Sequence, residues 1–211
     1  MKLSGPALAV AAISVLIVVG AALGIRHSYS ASAPSIAAAT PAPQGTPIVQ
    51  GTQIGKSVFR DGDVAGGGHG QTVAGIECNL QEMLAKHQHV HLSLFFNGVQ
   101  AALPKYIGII AKPNNQGCIY WLHTHDATGL IHIESPQPGG AYTLGQFFAI
   151  WGQELASDDV AGHVGTVHTY VNGMAYNGDL RAIPLAAHSE ITLEVGAPVV
   201  TPPLYAFPEG V

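Results

Sequence analysis

The chain has 211 residues and a formal charge of −5, and only 10% of its residues are charged. With eight Lys plus Arg and no basic cluster, it lacks the electrostatic footprint of a nucleic-acid partner. Histidine is the residue in excess: 11 in all, ten of them after residue 60.

In chain order, Met1 to Ile25 reads as an export or anchoring segment. Lys2 supplies a positive start, and Ala7 to Ile25 is a run of 19 residues interrupted only by Ser14, Gly20 and Gly24. About 20 apolar residues span a bilayer, whereas a cleavable signal core needs about 7–15, so length favours a retained transmembrane anchor over residues 7–25. The small residues Ser30-Ala31-Ser32-Ala33 keep a cleaved signal, and hence secretion, open as the alternative. Either way the rest of the chain is expected outside the cytoplasm. The organisation that follows is an anchor over 1–27, a Ser/Ala/Pro linker over 28–47 that is too poor in apolar residues to fold, and one domain over 48–211.

Within that domain, Asp61 to Gly70 is a Gly-rich loop without the Lys-Ser/Thr ending of a phosphate loop. Asn79 to His87 predicts a short helix, with Asn79 as cap, Glu82 three residues on, and Leu80, Met83, Leu84 and His87 on one face. His89 to Phe96 predicts a strand. Val90, Leu92, Leu94 and Phe96 face the core, while His89, His91, Ser93 and Phe95 face the other way. Asn97-Gly98 is a strong hairpin turn signal, repeated at Asn172-Gly173 after a second strand over 164–171.

The densest chemistry lies in Cys118 to Glu134, CIYWLHTHDATGLIHIE. As a hairpin turning over Asp126 to Gly129, this stretch pairs His125 with Leu130, His123 with His132 and Trp121 with Glu134. Alternation then places His123, His125, His132 and Glu134 on one face, with opposed Cβ atoms about 5 Å apart. Imidazole is the commonest protein ligand for zinc and copper, so these four residues, with His89 and His91 nearby, form a candidate Zn or Cu site. The bland alternative is a set of partly buried histidines satisfied by hydrogen bonds. Cys78 and Cys118, in an exported domain, predict a disulfide; thiolate ligation beside the histidines is the other reading.

Thr143 to Trp151 is the second predicted helix. Thr143 and Gln146 form a capping box, Leu144, Phe147, Phe148 and Trp151 line one core-facing stripe, and Gly152 ends it. Ile191 to Val195 closes the body as a strand, and the proline-rich segment 198–208 predicts an extended tail. The fold class expected is therefore α+β: mainly antiparallel β-hairpins with two short helices in one extracytoplasmic domain.

The blocks HVHLSLFFNG, CIYWLHTHDATGLIHIESP, YTLGQFFAIWGQ and YVNGMAYNGDLRAIPL resemble an uncharacterised group of small prokaryotic envelope proteins, anchored or secreted, over most of residues 70 to 211. The resemblance implies an envelope location and brings no catalytic residues. The His-x-His with a later Glu is shared with cupin metal sites, but the gap from His125 to Glu134 is too long for that pattern and its glycines are missing. No nucleophile elbow, His-Glu-x-x-His or dinucleotide fingerprint is present. Three function classes stay open: an envelope metal-binding protein, a metal-dependent enzyme on the same cluster, and an extracytoplasmic interaction module.

Overall fold

The longest strand, Lys86–Phe96, organises the domain because it pairs along both edges. The protein is described by a computed structural model covering residues 45–62 and 67–211. The strands of its main sheet, in chain order, are β1 Lys86–Phe96, β2 Val99–Ala101, β3 Leu122–His123, β4 Leu130–Ser135, β5 Val167–Val171, β6 Met174–Ala175 and β7 Glu190–Val195, and among the described residues there is one α-helix, α1 Leu144–Trp151. The sheet order is β6-β5-β7-β1-β4-β3, and β2 folds back on the far end of β1. One edge of β1 pairs antiparallel with β4 and then β2; the other pairs in parallel with β7. Both Asn-Gly turns hold positive φ at each central residue (Asn97 50°, Gly98 75°; Asn172 52°, Gly173 74°), the geometry that suits two-residue hairpins.

One sheet face is apolar. Val90, Leu92, Leu94, Phe96, Ile131, Ile133, Ile191 and Leu193 pack with Leu144, Phe147, Phe148 and Trp151 of α1 into one buried core. The helix is as its local signals predict: the Thr143 hydroxyl accepts from the Gln146 N–H, the Gln146 side chain caps in return, and Gly152 closes it in the left-handed conformation. The opposite face carries the alternate residues of the same strands. At its centre it is covered by the C-terminal tail, whose Tyr205–Ala206 pairs in parallel with Thr46–Pro47 and packs Tyr205 against Ile48 and Leu130.

The expected α+β class with two helices is not what forms: the described residues are mostly β with one α-helix. Residues 79–87 are not helical. Cys78–Asn79 is instead a strand paired antiparallel with Ile119 and Tyr120, and β1 begins at Lys86. The physical reason lies in the packing. Leu80 and Leu84, meant to form the buried face, are 81% and 62% exposed, so no core rewards a helix there. Asn79 caps nothing; its side-chain oxygen accepts from the Trp121 indole N–H. The Cys78–Cys118 disulfide is formed and ties this segment to Cys118–Tyr120. The expected anchor over 7–25, and most of the linker, lie outside the described residues. Among the described residues no helix is long and apolar enough to cross a membrane.

Candidate metal centre

Strand pairing lines up the histidines across the non-core face. His132 of β4 sits between His123 of β3 on one side and His89 of β1 on the other. Two residues along, His87 lies beside Glu134. Because side chains alternate along each strand, all five project from the same face. The predicted pairing of His123 with His132 is therefore present. The predicted pairing of His125 with Leu130 is not: Leu130 lies beside His91, and the chain leaves β3 at Thr124. Thr124 turns inward, its hydroxyl donating to the Pro104 carbonyl while its N–H donates to the Ile107 carbonyl. His125 nonetheless folds back over the row, with its Nε2 3.1 Å from Nε2 of His123.

The donor atoms gather into two overlapping sets. His87, His89, His132 and Glu134 form one, and His123, His125, His132 and Glu134 the other; within each set the donor atoms lie within 4.8 Å of one another. In the first, His89 Nε2 is 3.0 Å from His132 Nδ1, and Glu134 Oε1 is 3.4 Å from His87 Nε2 and 3.5 Å from His132 Nδ1. In the second, Glu134 Oε2 is 3.9 Å from His123 Nε2. His89, His123 and Glu134 are buried, whereas the His87 and His125 side chains are 43% and 40% exposed. These groups could hold a metal ion.

The protonation states favour ligation. Burial, aided by repulsion from His132 and His87, lowers the His89 pKa to about 4. Burial also takes His123 down to about 3, against a smaller upward pull from Glu134, and lowers His125. At neutral pH these rings are uncharged, and the neutral imidazole is the form that binds metals. His123 Nδ1 lies 2.8 Å from the Tyr120 carbonyl, which accepts only an N–H, so Nε2 is left with its lone pair facing the cluster. Burial raises the Glu134 pKa, but hydrogen bonding to His132 and attraction to His123, His132 and His87 outweigh it, and the net shift is downward. The carboxylate is thus charged and buried, and its Oε2 has no hydrogen-bond partner among the described residues.

Compared with known proteins, the chain matches no family model, no curated protein and no solved structure.

His91, expected near the site, is not part of either set. It is buried under the C-terminal tail, where its Nε2 lies 2.8 Å from the Thr128 carbonyl and its ring packs on Tyr205 at 4.1 Å. His87 is the donor that the sequence does not announce, because its spacing from Leu80, Met83 and Leu84 predicts a helical face, whereas it pairs with Glu134 in the sheet. An extra alternate position was available as the signal: His87, His89 and His91 share one parity. Glu82 is also close, its Oε1 3.4 Å from His125 Nε2, on the segment that the disulfide holds in place.

Proposed function

We propose that this protein binds a transition-metal ion, Zn or Cu, through the cluster formed by His123, His125, His132, His89, His87 and Glu134. The observation that carries this reading is Glu134. A buried carboxylate costs several kcal/mol unless its charge is met, yet among the described residues its Oε2 has no hydrogen-bond donor, and burial holds His89 and His123 neutral. A bound cation would compensate that charge and take up the imidazole lone pairs together. The nitrogen-rich donor set favours zinc or copper over calcium or magnesium, which prefer oxygen. The domain would act outside the cytoplasm; the disulfide supports this, since such bonds persist in oxidising compartments.

The test is elemental analysis of the full-length protein, made without a His tag, after loading with Zn or Cu and dialysis. Bound metal is expected in the wild type and its loss in His132→Ala, while His91→Ala should retain it. A folded wild-type protein that holds no metal would refute the reading.

A further inference from the structure

The six donors do not converge on one point. Only His132 and Glu134 belong to both sets, and a tetrahedral ion uses four ligands. Donors 2.0–2.1 Å from such an ion stand about 3.3 Å from each other. Two pairs on the first side and one on the second already lie near that edge: His89 Nε2 to His132 Nδ1 at 3.0 Å and His87 Nε2 to Glu134 Oε1 at 3.4 Å, and His123 Nε2 to His125 Nε2 at 3.1 Å. Glu134 divides its oxygens between the sets. Oε1 faces His87 and His132, and the unpartnered Oε2 is the atom nearer His123.

Resting on the metal-binding reading above, we propose that the cluster is a two-metal centre in which the Glu134 carboxylate bridges the ions. The first ion is held by His87, His89, His132 Nδ1 and Glu134 Oε1. The second is held by His123, His125 and Glu134 Oε2. His132 has already committed Nδ1 to the first ion, so the second has three protein donors and a fourth position for water. Three protein ligands plus a water is the arrangement of reactive rather than purely structural zinc sites, and paired ions about 3.5–4 Å apart are common in hydrolytic centres. Each ion has one half-exposed ligand, His87 for the first and His125 for the second, so each can load from solvent.

The test loads the full-length, untagged protein with Co(II), dialyses it, and measures metal per chain together with the electron paramagnetic resonance signal. Two ions per chain are expected, with a signal weaker than that of two isolated Co(II) centres because the shared carboxylate couples their spins. His87→Ala and His125→Ala, both at half-exposed positions, should each fall to one ion and regain an uncoupled signal. One ion per chain in the wild type would overturn the two-metal centre and leave the single-ion reading intact; no Co(II), with zinc and copper loading also leaving none, would overturn both. Two ions with uncoupled spectra, or two ions retained in His87→Ala, would overturn the bridge or the assignment of its first ligand.

Discussion

Acidification of the metal-free protein offers a quantitative check on the buried histidines. His89 and His91 are held at about 4 and His123 at about 3, all depressed by burial, while in the unfolded chain each returns to about 6.5. The unfolded state therefore binds more protons throughout the interval between these values. Stability is full above pH 6.5 and is lost as the pH falls toward the folded values. Between pH 7.5 and 5.5 each such histidine costs about 1.4 kcal/mol, so the three together cost about 4 kcal/mol. With a urea dependence of about 2 kcal/mol per M for a domain of this size, the unfolding midpoint should drop by about 2 M. His91→Gln should remove about a third of that slope. Two carboxylates limit the window: Glu134, whose pKa is lowered, adds its own acid loss below pH 5, and Glu190, raised by burial, acts in the opposite sense. Urea titrations of the chelator-treated protein at pH 7.5, 6.5 and 5.5 would measure the effect. A midpoint that moves by less than about 0.5 M would show that these rings are not held neutral and would refute the reasoning.

Reducing the Cys78–Cys118 bond, which closes 40 residues, should cost about 4 kcal/mol in the chain-entropy model. At about 2–4 °C per kcal/mol that lowers Tm by roughly 10 °C, and calorimetry with and without reductant would read it. Gly108→Ala should destabilise the domain and weaken metal binding together. At φ +74° an added Cβ would sit 2.6 Å from the Leu122 carbonyl oxygen and 3.2 Å from the His123 Cβ, and the left-handed conformation alone costs about 1–2 kcal/mol for a residue other than glycine. Thermal unfolding and a zinc titration that both match wild type would contradict this. Thr143→Ala removes the α1 cap and should lower stability by about 1 kcal/mol in denaturant unfolding with metal stoichiometry unchanged.

The parts of the site that were legible in the sequence are those set by neighbours along the chain. Alternation along β4 places His132 and Glu134 together, and a short connection brings His123 opposite His132. The contribution of β1 was less visible. His89 reaches His132 because β1 lies against β4, and nothing local to either strand states that pairing. His87 was hidden by an accident of spacing: Leu80, Met83, Leu84 and His87 match a helical period, but Leu80 and Leu84 find no core to bury in. His91 has the right parity but sits too far along the strand, where Tyr205 of the tail covers it. The bend at Thr124 depended on a partner, Pro104, that no motif in the hairpin announces.

The parallel pairing of β1 with β7 has a consequence for how the protein is made. Leu92 lies beside Ile191, so strands far apart in the chain must meet before the sheet is whole. Contacts so distant along the chain slow folding, because loop entropy is spent before they form. As synthesis proceeds from the N-terminus, the two strands that carry His87, His89, His132 and Glu134 emerge long before β7 does. Until then β1 has an open edge rich in Leu and Phe, the kind of surface that pairs with other chains. The histidine-bearing half of the sheet is therefore the segment most in need of protection before β7 arrives.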